Sequence, residues 1–108
     1  MSDEDCVRGD AALTRAFSIL GMRWTGLLIG QLGRGASGFR QLSRAVGKVS
    51  DSVLSERLTT LVDAGLVQRT VFEGPPVAVS YRLTDSGQAL LPVLAQLSDW
   101  AEEHLPSA

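Results

Sequence analysis

The 108-residue sequence predicts a mainly α domain with one β-hairpin set before its last helix. Three observations lead there. Apolar residues recur at helical spacing in five separated stretches, four of which stop at a glycine. Two strand-like runs flank Gly74-Pro75-Pro76. The composition, 44% hydrophobic and 20% charged, is that of an ordinary globular domain rather than a disordered or fibrous chain. At this length one core is affordable, and folding should bury roughly two-thirds of the surface the unfolded chain exposes. Residues 1–108 therefore read as a single domain, with 1–10 as a flexible acidic N-terminus.

Asp10 is placed to cap a first helix from Ala11, whose Leu13, Ala16, Phe17 and Leu20 form one apolar face before Gly21. A second helix runs from about Trp24 to Leu32 and breaks at Gly33-Arg34-Gly35. Ser37 is the expected N-cap of a short third helix holding Phe39, Leu42 and Val46, ended by Gly47. Ser50 opens the clearest helix, to about Ala64, with Leu54, Leu58, Leu61 and Val62 as its core stripe. Ser52, Ser55, Glu56, Thr59 and Asp63 lie opposite, and Gly65 takes the position after the helix end. Strands are expected over Leu66–Glu73 and Val77–Leu83, the second alternating cleanly through Val77, Val79, Tyr81 and Leu83. Thr84 caps a last helix to about His104, in which Pro92 removes one backbone donor and should kink the helix or delay its regular part. Two short helices joined by Gly47-Lys48-Val49 and followed by a hairpin make a winged helix-turn-helix.

The composition also narrows function. No apolar run is long enough to span a membrane, and the start, Met1-Ser2-Asp3-Glu4-Asp5, is acidic where a signal peptide is basic, so a cytoplasmic protein is expected. One cysteine, Cys6, cannot make an internal disulfide, and with one histidine, His104, it cannot build a Cys/His zinc site. No nucleophile elbow, phosphate loop or pair of carboxylates on one face is present; the sequence points to no enzyme, metal or cofactor. The net charge is −2, but it is unevenly spread. Residues 34–82 carry seven basic and four acidic groups, whereas the flanks carry three basic and eight acidic ones. A basic middle on a repelling body suits a DNA face, and it equally fits a chance imbalance on a solvated surface.

The motifs make the pattern specific. Gly21-Met22-Arg23-Trp24-Thr25, Phe39-Arg40-Gln41-Leu42 and Ser50 through Leu58 occur in order, followed by Leu61, Gly65, Leu66 and Val67. Pro75-Pro76-Val77, Tyr81-Arg82-Leu83-Thr84, Gly87 and Trp100 complete the series. Together, over about residues 11–104, the chain resembles the HxlR-type transcriptional regulators. The resemblance implies a bacterial winged-helix homodimer, paired through its first and last helices, that binds a palindromic operator in double-stranded DNA, usually as a repressor. It further implies control of neighbouring genes in stress or detoxification, and leaves any small-molecule effector unnamed.

On this reading the Ser50 helix enters the major groove, with Ser50, Asp51, Ser52, Ser55 and Glu56 nearest the bases. Each has an ordinary alternative: Ser50 as a helix cap, the others as a solvated face. Arg57, at the edge of the apolar stripe, either reaches DNA or pairs with Glu56 or Asp63. Arg40, Arg44 and Lys48, with Arg69 on the first strand, are candidate phosphate contacts that set register. Leu13, Phe17, Leu94, Leu97 and Trp100 are candidate dimer contacts; Trp24 and Trp100 read as core or interface residues, and Phe72 as packing.

Three features depart from the family pattern. Ser52 and Ala78 stand where relatives often carry a basic residue, and Ser80 where they often carry an acid. Loss of charge at two DNA contacts implies a shallow salt dependence. Some relatives use an N-terminal cysteine, commonly followed by proline, as a thiol switch. Here Val7 follows Cys6, Asp10 lies nearer the usual position, and Asp3, Glu4 and Asp5 disfavour the reactive thiolate with only Arg8 opposing. The weak basic surface keeps a second function open, a winged-helix module that binds protein rather than DNA.

Overall fold

A computed structural model describes the backbone of residues 3–107 and the side chains from Asp10 to Ser107. The element order is α1 (Asp3–Leu20), α2 (Thr25–Leu32), α3 (Phe39–Val46), α4 (Asp51–Asp63), β1 (Val67–Phe72), β2 (Ala78–Leu83) and α5 (Asp85–His104). The fold is the expected winged helix. Two local expectations are corrected. α1 starts at Asp3, so Asp10 is interior, and its carbonyl accepts from the Thr14 hydroxyl at 2.7 Å. An acidic first turn suits the positive end of a helix. The N-cap of α3 is Gly38, not Ser37: the Gln41 side chain accepts from the Gly38 N–H at 2.8 Å. Ser37 is engaged elsewhere, exchanging backbone hydrogen bonds with Tyr81 at 2.9 and 2.8 Å as a bridge beside the hairpin.

The other caps follow the sequence. Val53 N–H donates to Ser50 Oγ at 3.2 Å, and α4 ends at Gly65, whose φ of 78° is the left-handed turn that glycine takes without strain. Thr84 Oγ1 accepts from Gly87 N–H at 3.2 Å and donates to the Gly65 carbonyl at 2.6 Å, tying the start of α5 to the end of α4. A β-carbon on Gly87 would collide with the Leu66 carbonyl, so only glycine lets α5 close against that connection. α5 is regular from Asp85; Pro92 does not delay it.

The core is small and lies under the helix-turn-helix. Leu28, Ile29 and Leu32 of α2 meet Leu42 of α3, Leu54, Leu58 and Leu61 of α4, and Val67 and Leu83 of the hairpin. Val49, in the turn, is buried with them, fixing the angle between α3 and α4. The strands are antiparallel, Val67 opposite Leu83 through Phe72 opposite Ala78. Trp24 packs at the core edge, as does Leu94. The molecule is long for its size: its radius of gyration is 16.0 Å and its extents are 59 × 33 × 23 Å. A compact chain of this length would have a radius near 13 Å. Within the described side chains, α1 from Asp10 to Ser18 and the far half of α5 are mostly exposed.

Candidate nucleic-acid interface

The exposed side of α4 forms one surface with α3, the turn before α4 and the hairpin. Ser52, Ser55, Glu56, Thr59 and Asp63 are all exposed along it, opposite the buried leucines. Arg44 and Lys48 stand exposed beside the α4 N-terminus, and no carboxylate among the described residues lies within 4 Å of either. Their charge is free to meet an anion.

Five of the predicted contacts, Arg40, Ser50, Asp51, Glu56 and Arg57, are engaged within the protein. Arg40 Nη1 lies 3.0 and 3.2 Å from the two carboxylate oxygens of Asp51, so this cation and this anion cancel on the surface they share. Ser50 caps α4. Arg57 is turned inward, its side chain 16% exposed, and its Nε donates to the Arg23 carbonyl at 3.0 Å across 34 positions of sequence. Of its two expected ionic partners, Glu56 is the one within reach, at 3.5 Å. The Arg57 bond fastens α4 to the turn between α1 and α2. In that turn Arg23 also stacks over the Trp24 ring at 4.5 Å, and Trp24 itself takes a left-handed φ of 78°.

The hairpin contributes differently from its expected role. Arg69 and Tyr81 are cross-strand neighbours on the face that carries Val67 and Leu83 toward the helices. With Ser55, Thr59 and Val62 they line a cleft of about 360 Å³ between α4 and the sheet. The sequence marked Tyr81 as one residue of an alternating strand face and of a family motif, not as a site residue; the register opposite Arg69 is the signal that brings it to the surface of interest. On the other face Arg82 donates to Gln68 Oε1 at 2.9 and 2.7 Å. Phe72 was expected to pack, but is 56% exposed near the hairpin tip, with Val71 and Val77 exposed beside it. By register Phe72 falls on the outer face with Gln68 and Arg82, away from the helices, and nothing among the described residues covers it.

The first and last helices also expose apolar surface. Leu13 and Phe17 on α1, and Leu97 and Trp100 on α5, are each 45–58% exposed, large for side chains of their kind. Leu94 is half-buried between this surface and the core. Cys6 lies in the α1 backbone, with its side chain outside the described residues.

The sequence profile of the HxlR-like helix-turn-helix proteins matches residues 19–108. The chain belongs to this family. It is 43% identical over 89 residues to the uncharacterized HTH-type transcriptional regulator YvaP of Bacillus subtilis (strain 168), covering 82% of each chain. It is 39% identical over 88 residues to the HTH-type transcriptional regulator YodB of the same organism, covering 82% of this chain and 79% of that one. The solved reduced form of YodB superposes with a TM-score of 0.81 at 36% identity, over 87% of this chain and 92% of the other. YodB has also been solved after diamide treatment, with a TM-score of 0.76. The HxlR-like profile begins after Cys6 and includes α2 through α5, so the helix-turn-helix, hairpin and last helix belong to the shared architecture. No helix of the described residues is long and apolar enough to cross a membrane.

Proposed function

We propose that the chain is a sequence-specific DNA-binding regulator of transcription that acts as a repressor, binding a palindromic operator as a homodimer. The observation that carries this reading is the exposed N-terminal half of α4, flanked by the exposed cations Arg44 and Lys48 and by the hairpin. A major groove admits one such helix. Ser52, Ser55 and Glu56 then face base edges: hydroxyls bond either edge, and a glutamate accepts from the amino group of cytosine. Arg44 and Lys48 hold the backbone and fix the register.

Pairing through α1 and α5 is supported by their exposed apolar residues and by the elongated protomer. A two-fold dimer presents two copies of α4, which matches a palindrome with half-sites about one helical turn, or a multiple of it, apart. Control by thiol chemistry rests on Cys6, the sole cysteine. The direct test of the DNA reading is a gel shift on the DNA upstream of the protein's own gene. A specific shift at low salt that survives competitor DNA is expected; its absence favours the protein-binding module instead. If Cys6 is a switch, diamide or a quinone changes that shift in the wild type and not in Cys6→Ala.

A further inference from the structure

The hairpin tip is poorly made for holding DNA. From Val71 to Tyr81 the only charged residue is Glu73, and Phe72 and Val77 are exposed beside it. A tip of one carboxylate and apolar groups neutralises no phosphate. We infer that in this chain the hairpin grips DNA on its inner face: the cleft between α4 and the sheet seats a backbone phosphate, with Arg69, Ser55 and Tyr81 as its ligands. This deepens the DNA-binding reading above and rests on it.

The geometry of the duplex supplies the occupant. When a helix lies in a major groove and a hairpin stands beside it, the strand dividing that groove from the neighbouring minor groove runs between the two. Its phosphates then face the cleft. The cleft has the matching chemistry. Arg69 is exposed, and no carboxylate among the described residues lies within 4 Å of it. The other hairpin cation, Arg82, lies on the opposite face and is spent on Gln68. Thr59 has given its proton to the Ser55 carbonyl at 2.9 Å, so it shapes the wall rather than donating. Ser55 Oγ and the Tyr81 phenol have no hydrogen-bond partner among the described residues, and both can donate to an anionic oxygen. The seat is also rigid. The Tyr81 backbone is held by its reciprocal hydrogen bonds to Ser37, and Arg69 stands directly opposite it in the strand register. A charge-assisted contact from such a frame positions the protein on the duplex without reading sequence.

The test uses full-length protein and the duplex protected in the upstream DNA, with single phosphates replaced in turn by neutral methylphosphonates and affinity followed by fluorescence anisotropy. One substitution beside the half-site should weaken the wild type about tenfold and leave Arg69→Ala unaffected. Arg69→Ala should lower the slope of log affinity against log salt by about 0.9 while keeping the preference for operator over scrambled DNA. Tyr81→Phe should lose affinity a few-fold with the slope unchanged, and Glu73→Gln, at the tip, should lose none. Circular dichroism of Arg69→Ala matching the wild type excludes a folding defect. Wild-type slope and affinity in Arg69→Ala would overturn the cleft assignment while leaving the DNA reading intact. A wild type that shifts no duplex would overturn the DNA reading and the cleft with it.

Discussion

At the scale of single residues, the arginines divide by what they already hold. Arg57 is the one that serves the fold. Its bond to the Arg23 carbonyl joins α4 to the α1–α2 turn, and its side chain is largely covered. Hydrogen bonds to charged groups are worth about 1.5–3 kcal/mol. Arg57→Ala should therefore lower unfolding free energy by about 2 kcal/mol in urea titration, and Arg57→Lys should not restore it, because the ammonium lacks the flat fork. Arg40 is the opposite case. It and Asp51 are both well exposed, so their pair adds at most about 1 kcal/mol to stability, but it withholds a cation from the DNA face. Asp51→Asn should release Arg40 and steepen the salt dependence of DNA binding, whereas Arg44→Ala and Lys48→Ala should each flatten it by about 0.9. These roles were only partly legible in the sequence. The Ser50 and Thr84 caps are three-residue signals, read without knowing the fold. The inward turn of Arg57 depends on a carbonyl 34 positions away, and the loss of Ser37 as a cap depends on Tyr81; neither is visible in local spacing.

At the scale of elements, a helix boundary can be set by a side chain that also fastens the helix to a neighbour. Thr84 shows this most clearly, capping α5 and binding the end of α4 through one hydroxyl. Thr84→Val, which keeps the shape and removes both bonds, should cost about 1–2 kcal/mol, read as a lower denaturation midpoint. Gly87→Ala forces a β-carbon onto the Leu66 carbonyl and should cost about 1–3 kcal/mol or displace α5. The order of elements was fully legible, because helical and strand periodicities differ and glycines punctuate them. The fate of Phe72 was not. It was read as packing from its apolar character, but the register sets it on the face of Gln68 and Arg82, which no helix covers among the described residues.

At the scale of the whole molecule, the small core and the protruding helices support the proposed pairing of two protomers. A single set of ten buried apolar side chains supports the helix-turn-helix, while Leu13, Phe17, Leu97 and Trp100 remain in water. Burying them against a second copy removes that apolar surface and fixes the spacing of two α4 helices. Phe17→Glu with Leu97→Glu should therefore yield a monomer in sedimentation equilibrium, with operator affinity reduced at least a hundredfold because each half-site is then bound alone. The acidic flanks fit the same picture, since they keep the body of the molecule off the phosphates and leave the central face to meet them.

The central claim is that two copies of α4 read one duplex together. Hydroxyl-radical footprinting of the upstream DNA, with the bound mass measured on the same fragment, tests it most directly. The account predicts two protected patches related by a two-fold axis, centred a whole number of helical turns apart, with two protomers per duplex. A single uninterrupted patch bound by one protomer, or no protection at low salt, would contradict it.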